Sequence, residues 1–447
     1  MLKNRQILRI PDTVRAINSA PVLVISLLMG VIMPMVAAWF YPTYTNTMSD
    51  PFVEWTRLQE VPFVVCEALI VGWALYRGME LRCFASILPR DCLIASGIFM
   101  AGLWGSTLFV SKIPATSLMI SLSTVVHILF ALSVYHLAGN AKKTSVEQFA
   151  SVLALGLFAL AVLTAFRFLT VALLSPVPGN EIEWSSAMPG FISVRHFGSW
   201  TGAITAIFAA ILLNNRDDAA LSRIDLFFFL SMAMTIWSGT RAAVLAIAIS
   251  CAIMVVSKWQ MPSLRMFGRL SMTTGAAAFL ALALIPYGNT AFLLFEYWDT
   301  NPIANADQIS SGRLSLWGGT YEKWLEAPWF GWGSGSTFWE VFELNWTHTQ
   351  PHNFILQFLI SWGLVGAVGA IWLLARTTAA AHRRVMANTH TWPLLVGLYS
   401  LLVMALLEGM LHYPRFIMLI MALLALILRL TSDEHASVRR ERSQPKR

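Results

Sequence analysis

The chain has 447 residues, 57% of them hydrophobic and 12% charged, and a mean hydropathy of +0.63. That leaves too little polar surface for several water-soluble domains and excludes a soluble fold. Its 31 Lys and Arg against 24 Asp and Glu give a net charge of +7, which raises nucleic acid as a partner, yet in a chain whose natural solvent is lipid the first account of excess basic residues is orientation across the bilayer.

In chain order, apolar runs predict twelve spans: 22–40, 61–76, 93–110, 116–137, 149–174, 198–213, 226–237, 242–257, 271–286, 354–375, 392–411 and 416–428. With both termini cytoplasmic, the inner segments take all the basic residues except Arg57, Lys112, Arg167, Arg195, Arg241, Arg313, Lys323 and Arg415. Acids such as Glu60, Glu181, Glu183, Glu322 and Glu326 gather on outer segments. Adding or removing one span would invert every later loop and destroy this bias. The expected fold is therefore an all-α polytopic membrane protein of about twelve transmembrane helices. No cleavable signal peptide is expected, because about twenty residues precede a first run that continues to a full span. Cys66 and Cys251 fall in spans and Cys83 and Cys92 near the inner face, so neither a disulfide framework nor a thiolate metal site is indicated.

Four regions follow: spans one to nine over 1–286, a large outer loop over 287–352, spans ten to twelve over 353–430, and a basic inner tail over 431–447. A second outer segment, 175–197, is rich in Pro and Gly. In the large loop, Ser310-Ser311-Gly312-Arg313 precedes Leu314, Leu316, Trp317, Tyr321, Trp324 and Leu325, the spacing of an amphipathic helix after a Ser cap. Pro328 and the Gly-rich run 331–336 then predict a tight, adaptable turn, and the loop reads as a lid or binding element. There is no nucleotide-binding glycine loop and no inner domain to hold one.

Against the positive-inside background, outer Arg residues carry the chemistry. Arg195 stands at the mouth of span six, Arg241 at the hairpin between spans seven and eight, and Arg313 at the start of the loop helix. Guanidinium is permanently charged and its fork of donors matches phosphate oxygens, so these side chains suit a phosphate or diphosphate headgroup. The bland alternative is snorkelling, or pairing with a loop acid such as Glu181 or Glu183. In Gln350-Pro351-His352-Asn353, Pro351 predicts a helix that places His352 in its first turn, where a neutral imidazole is stabilised and can take a proton from a hydroxyl. The alternative is a His hydrogen-bonded at a helix end. His348 lies four residues earlier, but Pro351 intervenes, and no metal site is expected. Glu408, His412 and Arg415 close span eleven at the same face and can orient His352, bind substrate or form a satisfied interfacial cluster; His196 beside Arg195 and Asn353 beside His352 are further supporting residues. Glu67 and Arg167 are intramembrane charges without an assigned role.

The hairpin Ser238-Gly239-Thr240-Arg241-Ala242-Ala243, the loop Ser311-Gly312-Arg313 then Pro328-Trp329-Phe330-Gly331-Trp332-Gly333, and Pro351-His352-Asn353 with Leu356 and Gly363-Leu364-Val365-Gly366 together resemble the O-antigen ligase and polymerase superfamily over roughly residues 190–370. The resemblance implies a GT-C-like fold and an inverting, metal-independent glycosyltransferase of the bacterial inner membrane, using undecaprenyl-diphosphate-linked glycans on the periplasmic side without a cofactor. It implies that Arg195 and Arg241 hold the diphosphate and that His352 activates the acceptor hydroxyl, with Arg313 kept from its own chemistry as a third candidate for binding the donor. Ligation to lipid A-core, polymerisation of repeat units and transfer to a pilin share that donor; the compact chain, with no extra domain for a protein acceptor, favours the ligase. The competing class is a transporter or flippase of a lipid-linked glycan, which places its charged groups near the midplane, as Glu67 and Arg167 are.

Overall fold

The computed structural model describes residues 21–40, 60–82, 84, 88–140, 144–174, 188–191, 193–214, 222–258, 261–285, 312–335 and 350–431. Among them there is no strand. The helices are α1 (Pro21–Trp39), α2 (Val61–Tyr76), α3 (Arg90–Val110), α4 (Pro114–Leu137), α5 (Thr144–Leu174), α6 (Val194–Asn214), α7 (Arg223–Trp237), α8 (Arg241–Lys258), α9 (Leu264–Ala283), α10 (Arg313–Leu325), α11 (Phe354–Ala387), α12 (Trp392–Leu407) and α13 (Pro414–Leu430). Each of the twelve apolar runs falls on a helix, and α10 is the amphipathic helix expected in the large loop. Eight of the helices are long and apolar enough to cross a membrane, which makes the chain an all-α polytopic membrane protein. The expected segments 175–187, 286–311, 336–349 and 432–447, and with them Cys83, His348, Glu181, Glu183 and the Ser310-Ser311 cap, lie outside the described residues.

Local sequence sets the helix starts. Proline sits in the first turn of α2, α4, α12 and α13, where its missing N–H costs nothing. Ser222 and Asp225 form a capping box on α7, and Asp225 also receives Arg269 Nε of α9 at 2.6 Å. α10 departs from expectation, because its cap position is Gly312 in the left-handed region at φ 77°, with no side-chain cap.

α6 occupies the middle of the bundle, packed by α7, α8 and α12, and 89% of its apolar window is buried. Its small residues allow this, since Gly202, Ala203 and Ala206 bring backbones close while Thr201 and Thr235 hydrogen-bond across the α6–α7 interface at 3.0 Å. A second contact joins α3 to α11, where a Cβ on Gly102 would fall 2.2 Å from Gly366 Cα. Phe99 and Trp362 meet edge to face beside it at 5.1 Å.

α11 is broken at Gly363 (φ 62°, ψ −170°), a conformation open only to glycine. The break frees backbone groups that lipid cannot satisfy, and the turn after α10 supplies their partners. Trp332 and Gly333 N–H donate to Ile360 and Ser361 O at 2.8 and 3.0 Å, while Leu364 and Val365 N–H donate to Pro328 and Trp329 O at 2.8 and 3.1 Å. Buried Ser334 completes the joint, with its hydroxyl bonded by Ser121 at 2.9 Å and Trp362 Nε1 at 2.8 Å. The Gly-rich turn expected to be adaptable is therefore pinned to the bundle, because the helix break leaves it four backbone bonds to make.

Candidate functional site

Two groups of side chains stand at the end of the bundle where α6, α11 and α13 begin. The first is built on the α7–α8 hairpin. Gly239 turns the chain at φ 63°, and Ser238 and Thr240 bond each other at 2.9 Å. The hairpin presses on α6 at Gly198, where a Cβ would lie 2.0 Å from Ser238 Oγ. Only a residue without a side chain fits there. Arg195, in the first turn of α6, donates Nη1 to Ser238 O at 3.2 Å and to Gly239 O, and Thr240 Oγ1 donates to Arg195 O at 3.4 Å. Arg241 follows as the first residue of α8 and is half-buried. Arg195 is thus tied by its guanidinium to the turn that launches Arg241, which fixes two cationic residues on adjoining helix ends.

The second group surrounds Glu408. α12 ends at Leu407, short of the expected residue 411, because Glu408 leaves the helix in an extended conformation. Its buried carboxylate accepts Arg313 Nη2 through Oε1 and lies 3.3 Å from His352 Nδ1 through Oε2. Burial pushes this carboxyl up, but the Arg313 charge, the His352 hydrogen bond and the charges of His352 and His196 together bring it down to about 2. Glu408 is a carboxylate at every physiological pH.

His352 is placed differently from the sequence expectation. Asn353, not a residue before Pro351, caps α11: its Oδ1 accepts from Ile355 and Leu356 N–H at 3.0 and 3.2 Å, and its Nδ2 donates to Leu406 O at 3.1 Å. His352 consequently sits before the helix rather than in its first turn, in the left-handed region at φ 53°. That conformation is unusual for a residue with a Cβ and persists only where surroundings impose it. Here the surroundings are the Asn353 cap, the Glu408 carboxylate, and Gln350, whose Nε2 lies 3.3 Å from His352 Nδ1. His352 Nδ1 thus faces both the Glu408 carboxylate and the Gln350 amide, on a side chain 23% exposed. Trp317 Nε1 donates to Pro351 O at 2.9 Å, so α10 is fastened to the His352 segment as well as to Glu408.

Of the remaining residues singled out from sequence, His196 is buried with its ring 4.3 Å from Tyr413. His412 donates its N–H to Gly409 O at 3.0 Å, and burial, with the charge of His352, brings its imidazole down to about 4. Arg415 is fully buried and committed to Glu60, with Nε 3.2 Å from Oε1 and its N–H 2.8 Å from Oε2, to Gly190 O, and to the rings of Phe191 and Phe63 at 3.9 and 4.6 Å. It fastens α13 to the start of α2. Arg313, expected beside the other guanidinium groups, is engaged by Glu408. Glu67 is hydrogen-bonded to His127 across α2 and α4. Among the described residues no group of three or more His, Cys, Asp or Glu is placed to hold a metal.

Sequence reasoning passed over Gln350 and the Arg313–Glu408 pair. Gln350 is 2% exposed, and a Cβ on Gly409 would collide with its amide. The signal for Gln350 was its place among the polar residues Gln350, His352 and Asn353, and for the pair it was a lone acid, Glu408, at a span end.

Residues 226–371, about a third of the chain, match a family model described as O-antigen ligase. The matched segment includes Arg241, Arg313, His352 and the break at Gly363, and stops short of Glu408. No curated protein matches the chain.

Proposed function

The chain is a member of the O-antigen ligase and polymerase superfamily, and on that premise we propose that it is a glycosyltransferase moving a glycan from undecaprenyl diphosphate to a hydroxyl of lipid A-core, at the periplasmic face of the bacterial inner membrane. The observation that carries the reading is the Glu408–His352 contact at 3.3 Å, which sets a buried carboxylate against one imidazole nitrogen, the pairing that orients an imidazole and stabilises it once it has taken a proton.

In this mechanism the acceptor hydroxyl gives its proton to the His352 imidazole as its oxygen bonds to the anomeric carbon. The bond from that carbon to the diphosphate oxygen breaks, and the electron pair leaves with the diphosphate. Attack opposite the leaving group inverts the anomeric centre. Negative charge grows on the diphosphate in the transition state, and Arg195 and Arg241 supply the opposing charge. Glu408 stabilises the imidazolium that forms, and no metal or cofactor takes part.

The test is an assay of purified protein in detergent with lipid-linked glycan, offered lipid A-core, a second lipid-linked repeat unit or a pilin peptide in parallel. Transfer to lipid A-core is expected. Transfer only to a repeat unit or only to the peptide would make it a polymerase or a pilin transferase, and no transfer to any acceptor, with glycan movement across vesicles instead, would make it a transporter. His352→Ala is expected to abolish transfer and leave donor binding measurable. Arg241→Lys keeps the charge but loses the fork, so transfer should fall strongly.

A further inference from the structure

α11 and α12 are joined by the short segment 388–391, and antiparallel helices joined so closely ordinarily pack along their length. Here they part. Between them runs a groove of about 640 Å³ that extends from Phe354 and Leu406, beside the His352 site, past aliphatic walls such as Leu374 to His382, Arg383 and Tyr399 at the other end. Asn353 closes the first end by its bond to Leu406 O. His382 is held at the second by the Tyr399 hydroxyl, 2.7 Å from Nδ1.

The second end carries an uncommitted charge. Arg376 is paired with Asp91 at 2.7 Å and Arg384 donates to Leu428 O at 2.8 Å, whereas exposed Arg383 makes no hydrogen bond or ion pair among the described residues. An apolar wall alone selects nothing in a bilayer, since the surrounding lipid is equally apolar. A guanidinium fork at its end does select, by charge and by paired bonds to phosphate oxygens.

We propose that this groove is a binding site for an anionic glycerophospholipid of the leaflet at the Arg383 end, with the phosphate against Arg383 and an acyl chain lying along the groove toward Phe354. The site is independent of the proposed glycosyl transfer, because no residue of the Glu408 group lines it.

The protein is reconstituted in vesicles of mixed phosphatidylethanolamine and phosphatidylglycerol, extracted in detergent, and the phospholipid it retains is measured by mass spectrometry. Phosphatidylglycerol should be retained in preference. Arg383→Gln should weaken that preference about fivefold, the scale of one Arg at an anionic lipid surface, and Arg383→Lys should recover most of it. Ala375→Phe, which fills the groove, should lower retention of both lipids, with the helical signal unchanged. An unaltered preference in Arg383→Gln, unaltered retention in Ala375→Phe, or displacement of the lipid by added polyprenyl diphosphate would overturn the proposal.

Discussion

At the level of single residues, the arrangement around Glu408 separates charge that binds from charge that positions. Its carboxylate holds Arg313 on one oxygen and His352 on the other, so Glu408→Gln keeps the shape, loses the charge and removes the preference for one imidazole tautomer. Transfer by this variant should fall about 10²-fold or more, seen as a lower kcat with KM for the lipid-linked donor little changed. A fall in donor affinity alone would assign Glu408 to binding. His412 makes a second prediction. Its imidazole titrates at about 4 rather than 6.5, so the unfolded chain takes up the proton first. This contribution to stability is complete above about 6.5 and is lost as pH falls toward 4. The melting temperature in detergent should drop across that window, and His412→Asn should flatten the drop. Arg195, Arg241 and His352 stand out in the sequence as candidates because a basic or imidazole side chain at an expected outer span end departs from a positive-inside pattern. The bond from Arg195 to the 238–239 carbonyls and the left-handed φ of His352 are not legible there, since one depends on a neighbour more than forty residues away and the other on a helix that starts after Asn353 rather than at Pro351.

At the level of elements, the loop helix and the broken helix form one unit. The break at Gly363 and the turn 328–335 exchange four backbone hydrogen bonds, and α10 is tied in addition through Trp317 and Arg313. A Cβ on Gly363 would lie 2.2 Å from Trp329 C, and its backbone conformation alone costs another residue roughly 1–3 kcal/mol. Gly363→Ala should therefore lower the melting temperature and release the backbone amides of Trp332 and Gly333 to hydrogen exchange. Unchanged protection of those amides would mean that the turn holds without the break. The amphipathic spacing of α10 was readable from sequence. Its docking was not, because the glycines that let a turn flex in solution are the same ones that let it lie flat against another backbone.

For the molecule as a whole, twelve apolar runs and the asymmetry of charge between their connections give a topology that labelling tests. Glu322→Cys on α10 should react with a membrane-impermeant thiol reagent in intact cells, and Arg265→Cys at the start of α9 only after the membrane is opened. The reverse pattern would invert every connection and move the Glu408 site to the other leaflet. The sequence by itself determined the helices and the chemistry available at their ends, because hydropathy and charge are local properties that the bilayer reads segment by segment. Only the tertiary structure decided which of those end groups meet. It gave Arg313 to Glu408, Arg415 to Glu60 and Arg195 to a hairpin turn, since partner choice among guanidinium groups follows the distance and burial of acceptors that packing brings together from distant parts of the chain.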